Sequence, residues 1–437
     1  MRFYPKLLKA GNRYRKTVSN KLFSIIVKTR VIEDRWMERR DFFKKALTVA
    51  GTAAVGSTAV KAAETVHPVD NRKVSDIAFP QKRPLITYSD RPPLLESPRD
   101  VFTSALTPND LFFVRWHMPL IPTYINPRKF AININGLVDQ EIKVSLKELK
   151  TQFEQVELTA VLQCGGNNRT AFKPTASGIQ WGVGAMGCAK WKGVRLRDVL
   201  KKAGLKKEAA WIGFNGKDKA VYNETANFVR ELKLEDLHDD IIIAYEMNGE
   251  ELPYLNGYPV RLILPGFYSD SWIKMLSNIT VTKERQKLHF MDHAYRIPDN
   301  ECECETPDQL AQTTKPIEEM NVNAIIGYPV TDTKVKNASD LIVRGVAFDG
   351  GHGIEKVQIS IDGGIIWENA DLDDGSAEKY AYRGFKYTFK PKNSGKLTIM
   401  CKASNKKGEE QPFAKDIKWN RGGYKYNGID EITVEVV

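Results

Sequence analysis

The spacing of apolar and polar residues divides the 437-residue chain into four stretches. Residues 46–60 (ALTVAGTAAVGSTAV) are one run of small and apolar positions inside a basic segment that extends to residue 62. Residues 63–100 are Pro-rich and aperiodic (HPVDNRK, FPQKRPLITYSDRPPLLESP) and read as an irregular linker wrapped on the domain that follows. Over 101–318, strand and helix patterns alternate. Leu111 to Val114, KFAININGLV, VELTAVLQ, AAWIGFNG, IIIAYEMNGEEL and Arg261 to Leu264 have strand character, with a turn at Asn248-Gly249. Ser145 is placed to cap a helix through Lys150, and Val194 to Ala203 has a helical pattern. From 319 to 437 the pattern becomes β-branched alternation broken by Gly, Asp and Asn (VNAIIGYPV, DLIVRGVAFDGG, EKVQISIDGGIIW, GFKYTFKP, GKLTIMCKASN, ITVEVV). About seven short strands at this spacing predict an immunoglobulin-like β-sandwich, and the whole chain reads as α+β.

Charge changes the picture at the N-terminus only. The formal net charge is +11, but residues 1–36 hold ten Lys/Arg against two acids and residues 37–62 five against two, which leaves the remainder neutral. A nucleic-acid-binding face is therefore not expected. Glu38-Arg39-Arg40-Asp41-Phe42-Phe43-Lys44, the apolar run and Val60-Lys61-Ala62 have the layout of a cleavable twin-arginine export signal, with Met37 as a second start just ahead of it. The run is too short and too rich in Ala and Gly for a membrane span. A periplasmic protein without stable membrane insertion is expected. The twin-arginine route carries folded proteins, which suits an enzyme loaded with its cofactor before export.

The cysteines are Cys164, Cys188, Cys302, Cys304 and Cys401. Cys302 and Cys304 in ECECE read as too close for an unstrained disulfide, which leaves them free or weakly metal-binding. No C-x-x-C-H sequence occurs, so no covalently attached c-type haem is expected in this chain. Cys164 carries the strongest chemical signal. The run LTAVLQ delivers it into two glycines, two asparagines and Arg169, where backbone amides can approach a ligand and a cation favours the thiolate. A thiolate there is a soft ligand for a transition metal, although a lone cysteine also serves as a small buried hydrophobe.

LQCGGNNR, then WGVGA at Trp181, then WKGVRLRDVL resemble the molybdenum domain of the sulfite oxidase family. The resemblance runs from Phe112 to the C-terminus. It implies a sulfite-oxidase-type molybdopterin domain over 101–318 and a dimerisation sandwich over 319–437, whose DGG-x-x-W motif stands at Asp362 to Trp367. By this resemblance Cys164 is the protein ligand to molybdenum, which a molybdopterin otherwise holds, one per chain. Phe113 to His117 matches the F-V-R-x-H motif, which implies Phe113 and His117 at the pterin and Arg115 in the sulfite pocket. Asn256, Arg261, Ser271 and Lys274 fall where the family holds the pterin phosphate and polar tail, cations and hydroxyls being suited to a dianion. Asn256 replaces the histidine of animal members, as in bacterial branches.

Tyr295 matches the tyrosine beside the substrate, Trp181 an apolar wall, and Arg169 and Arg421 two further arginines of the pocket. In Trp419-Asn420-Arg421-Gly422 the arginine comes one position early. The implied reaction is oxidation of sulfite to sulfate. Electrons would leave singly to a separate c-type cytochrome, from a possible homodimer. The alternative is a molybdopterin reductase of a sulfoxide or another oxyanion, and a non-catalytic exported binding protein would hold no metal.

Overall fold

A computed structural model describes residues 77–373 and 378–437, so the export-signal reading of residues 1–62 lies outside the described residues. The part before residue 319 is built mainly from two five-stranded sheets. In the first, Val156–Gln163 pairs antiparallel with Met186–Arg195, which pairs with Ile242–Met247. Ile242–Met247 carries Arg261–Ile263 and Glu250–Glu251 beside it. The long strand at 186–195 takes Val194 and Arg195 out of the helical pattern expected over Val194 to Ala203. Its residues are buried along almost the whole length, and the helix starts later, at Leu196–Ala203. The hairpin at Asn248-Gly249 forms as expected, both residues having positive φ (+54° and +81°), which suits the right-handed twist of its strands.

The second sheet has the order Ile142–Ser145, Ala131–Gly136, Asn278–Thr282, Trp211–Asn215, Val229–Lys233. Only the 131–136/278–282 pair is parallel. Ser145 caps the helix Leu146–Thr151 through a reciprocal pair: its hydroxyl accepts from the Glu148 amide at 3.2 Å, while the Glu148 carboxylate accepts from the Ser145 amide at 2.8 Å. Such a cap stabilises a helix end by about 1 kcal/mol.

Part of the expected linker is ordered structure. Ile86–Asp90 and Pro93–Glu96 form an antiparallel pair that continues into Val114–Arg115. Apolar side chains explain this, since Leu94 and Leu95 are buried. The C-terminal part is a sandwich of two sheets. One holds Asn323–Tyr328, Leu341–Phe348, Arg383–Phe389 and Asp371–Leu372; the other holds Lys334–Val335, Asp430–Val436, Gly395–Asn405, Ile354–Ser360 and Glu368–Asn369. Its apolar core includes Val343, Val357, Phe385, Ile399 and Val434.

Cys302 and Cys304 form a disulfide, which corrects the expectation that they stay apart. A turn with Glu303 at φ +50° places their Cα atoms 5.1 Å apart, within the reach of a disulfide. No helix among the described residues is long and apolar enough to cross a membrane.

Glu96 ties the ordered linker to the loop beside Cys164. Its fully buried carboxylate accepts from the amides of Gly182 (2.8 Å) and Gly184 (3.2 Å) and from the Tyr88 hydroxyl (2.6 Å). Each buried donor left without its acceptor costs about 1–3 kcal/mol. Glu96→Ala is therefore expected to lower folding stability by about 3 kcal/mol, read as a lower denaturant midpoint. A midpoint equal to the parent's would refute this role.

Candidate active site

Strand Val156–Gln163 ends where the chain enters Cys164, and the loop after it is closed by hydrogen bonds. The Cys164 amide donates to the Ala185 carbonyl at 2.9 Å, and the Asn167 side-chain oxygen accepts from the Ala185 amide at 2.8 Å. The thiol is free and 8% exposed. It lines a cleft of about 640 Å³, open mouth included, with Phe113, Arg115, His117, Asn256, Arg261, Lys274 and Tyr295 on its walls. Seven of the residues expected at a cofactor or substrate site thus meet Cys164 around one cavity.

Positive charge dominates that cavity. The Arg261 side chain is buried, with Nη1 donating to the Asn256 carbonyl (2.8 Å) and Nη2 to the Trp272 carbonyl (3.2 Å). Its guanidinium lies over the Trp191 ring at 5.3 Å. No carboxylate pairs with it among the described residues, and burial lowers its pKa to about 9. Lys274 sets its ammonium over the Trp116 ring at 4.6 Å. Burial first, then Arg261, lowers its pKa to about 7, with Asp218 and Cys164 pulling the other way. Asp218 and Asp270 are the carboxylates on the cavity wall. Burial raises both pKa values, that of Asp270 to about 6.

Tyr295 and His117 form the other wall. The Tyr295 hydroxyl meets His117 Nε2 and accepts from Arg115 Nη2 at 3.3 Å. The phenol oxygen is thus held from two sides, by the Arg115 guanidinium as donor and by the His117 ring nitrogen. Burial, then Arg115, Lys274 and Arg230, holds the His117 pKa well below its ordinary value, so the ring is neutral. Burial likewise raises the Tyr295 phenol, which stays protonated.

Four expected site residues point elsewhere. Trp181 is fully buried with its ring edge-on to Tyr88 at 4.8 Å. Arg169 donates through Nε to the carbonyls of Gly422 (3.0 Å) and Gly423 (3.3 Å) and through Nη1 to that of Ile179 (2.8 Å). Arg421 lies on the outside, held by the buried Glu305 carboxylate at 2.6 Å. The Ser271 hydroxyl accepts from Arg230 Nε at 3.4 Å, and its neighbours Ser269 and Asp270 line the cavity instead. The arginines are drawn away for one physical reason, since each finds carbonyl or carboxylate acceptors in the sandwich-side loop or at Glu305.

The structure adds residues that motif matching missed. Arg230 is 1% exposed and pairs with Asp270 at 2.5 Å. Phe228 stacks on His117 with ring centroids 3.6 Å apart and lines the cavity. Asp218 had a legible signal, being an acid in a Gly-Lys-Asp loop directly after the apolar strand Trp211–Asn215. Arg230 had none, because a charged residue inside the alternation of Val229–Lys233 looks solvent-facing.

Whether these residues suit a bound anionic cofactor can be tested on the cavity itself. Five buried polar atoms on its lining residues have no hydrogen-bond partner: His117 Nδ1, Asn256 Oδ1, Arg261 Nε and the two carboxylate oxygens of Asp270, whose charge is answered by the ion pair with Arg230. The unpaired Arg261 donor, its buried charge without a carboxylate partner and the unpaired His117 ring nitrogen, beside a free thiol, fit a polar, anionic group that also presents a soft metal.

Comparison with known proteins agrees with this fit. Residues 117–290 match the family described as oxidoreductase molybdopterin binding domain, and residues 314–436 match the Mo-co oxidoreductase dimerisation domain. Mitochondrial sulfite oxidase of Rattus norvegicus is 31% identical over 375 residues, covering 82% of this chain and 67% of that protein. Sulfite oxidase of Gallus gallus is 31% identical over 359 residues, covering 79% and 76%. The crystal structure of the sulfane dehydrogenase SoxCD from Paracoccus pantotrophus superposes with a TM-score of 0.70 at 23% identity, over 89% of this chain and 95% of that one, and so shares the fold.

Lys274 provides a test of the buried-cation reading. Its pKa of about 7 lies below the ordinary 10.5, so between those values the unfolded chain binds a proton that the cofactor-free folded protein does not. Raising the pH through that window therefore favours folding. Lys274→Met is expected to flatten this rise, measured as urea midpoints near pH 7 and near pH 9. An identical pH dependence in the two proteins would refute it.

Proposed function

The chain belongs to the sulfite oxidase family, and we propose that it oxidises sulfite to sulfate at a molybdenum centre and passes the electrons singly to a separate c-type cytochrome. The observation that carries this reading is the meeting of a free buried thiol with Arg115, His117, Arg261, Lys274 and Tyr295 on one small cavity. Cys164 would ligate the metal. Arg261, Lys274, His117 and Asn256 would hold the pterin and its phosphate, which supplies the negative charge these buried cations lack. When bound, the molybdenum cofactor supplies oxygen-atom transfer coupled to a two-electron change.

The remaining work falls to side chains. Sulfite and water yield sulfate, two protons and two electrons. A dianion is drawn to the net positive cavity, and the planar guanidinium of Arg115 is suited to orienting an oxyanion. Arg115 and His117 fix the direction of the Tyr295 phenol, which can offer its proton to an oxyanion oxygen because burial keeps it protonated. Phe113, Phe228 and Leu162 narrow the cavity and exclude water, which strengthens each of these contacts.

Export by the twin-arginine route to the periplasm belongs to the same proposal. It is supported by Arg39-Arg40 ahead of the apolar run, and a homodimer through the sandwich by the dimerisation-domain match. The first test is purification of the exported protein. Molybdenum near one per chain and sulfite-dependent reduction of a c-type cytochrome are expected, with both lost in Cys164→Ser. Molybdenum without sulfite turnover would favour a reductase of a sulfoxide or another oxyanion, a reading supported by Arg169 and Arg421 being engaged away from the cavity. A well-folded product without molybdenum would overturn the assignment. Separately, replacing Arg39 and Arg40 with Lys is expected to retain the precursor in the cytoplasm, seen by cell fractionation, and undiminished export would exclude this route.

A further inference from the structure

Tyr295 occupies a backbone conformation that a tyrosine does not choose for itself. Its φ is +56°, in the left-handed region that non-glycine residues rarely adopt. Something outside the residue must hold it there. Its carbonyl accepts from the Ile317 amide at 2.9 Å. Its amide donates to the Tyr424 hydroxyl at 3.3 Å, and the two rings stack with centroids 5.4 Å apart and planes inclined by 29°. Tyr424 comes from the segment between the sandwich strands Gly395–Asn405 and Asp430–Val436.

We propose that Tyr424 is a positioning residue that sets the Tyr295 phenol at Arg115 and His117, so that the sandwich completes the catalytic site from behind. This rests on the reading above that Tyr295 works at the reacting centre. Tyr424 is suited to the role because it is rigid. Its amide donates to the Asn420 side-chain oxygen at 3.0 Å and its carbonyl accepts from Asn420 Nδ2 at 2.9 Å. The next residue, Lys425, donates its amide to the carbonyl of Gly165 at 2.9 Å, directly after Cys164.

Two guanidinium groups extend the stack. Arg230 lies over the Tyr295 ring at 5.4 Å and Arg169 over the Tyr424 ring at 5.3 Å. Each is fastened at its rim, Arg230 by Asp270 and Arg169 by the carbonyls of Gly422, Gly423 and Ile179. The ladder Arg230–Tyr295–Tyr424–Arg169 thus uses cation–π and ring–ring contact to fix the tilt of the reacting phenol. It also gives Arg169, expected at the substrate, a place one layer behind it.

The experiment is a crystal structure and steady-state kinetics of the molybdenum-loaded full chain carrying Tyr424→Leu or Tyr424→Phe. In the Leu protein the Tyr295 phenol is expected to leave Arg115 and His117, and kcat to fall about tenfold with KM for sulfite within about twofold of the parent. The Phe protein keeps the ring but lacks the acceptor for the Tyr295 amide, and its kcat is expected to fall about threefold. A Leu protein with the Tyr295 phenol in its parental position overturns the proposal. If the Leu protein does not fold, parental kcat in the Phe protein overturns it instead. Should the parent protein oxidise no sulfite, the activity reading fails by itself, and the position of the Tyr295 phenol in the variant structures still decides the role of Tyr424.

Discussion

Burial of positive charge without matching negative charge is the constraint on which this site depends. Arg261 is enclosed by two backbone carbonyls and an indole, and Lys274 sits on a second indole with Asp218 as its nearby acid. Desolvating a cation is costly unless something charged answers it. Here the answer within the protein is partial, and the strand that holds Arg261 is buried throughout and pairs with the largely buried strand Ile242–Met247. A well-packed frame is what keeps the cations from turning out to solvent. The same frame brings the thiol of Cys164 to them, so a ligand that is both anionic and metal-bearing relieves the two deficits together.

Much of the scaffold could be read from periodicity. The Ser145 cap, the Asn248-Gly249 hairpin and the β-rich C-terminal third follow from local rules that tertiary context did not override. The strand at 186–195 was hidden because its apolar face begins in a glycine-rich loop. There, Gly187 is needed for a close approach: a Cβ on it would lie 2.5 Å from the Phe112 ring. The pair at Ile86–Asp90 and Pro93–Glu96 was masked by its prolines, of which Pro93 opens its strand. Cys302 and Cys304 were misjudged because sequence separation was taken for distance, whereas a left-handed Glu303 turns the chain enough to join them.

The cavity was legible wherever a motif placed a residue on the strand end or turn that faces it, as for Cys164, Arg115, His117, Arg261 and Lys274. It was not legible where the outcome depends on competition between acceptors. A guanidinium goes to the densest set of carbonyl or carboxylate oxygens within its reach, and sequence does not show which set that is. Arg169 finds Gly422 and Gly423, Arg421 finds Glu305, and Arg230 finds Asp270 inside the molecule. Two of the three are therefore staples between the catalytic part and the loop that leads to the last strand. Together with Lys425 on Gly165, they make that loop a structural part of the cysteine loop.

That attachment has a consequence for the order in which the protein can be made. Cys164, Arg115 and Arg261 leave the ribosome well before residues 420–425, yet the loop after Cys164 and the phenol of Tyr295 both lean on that late segment. During synthesis the first part can collapse around its own sheets, but its cavity stays unbraced on one side until the final strand of the sandwich has docked. Cofactor loading before that moment would meet a loose pocket. The two parts of the chain are thus successive in sequence, but the pocket is braced on all sides only once both have folded.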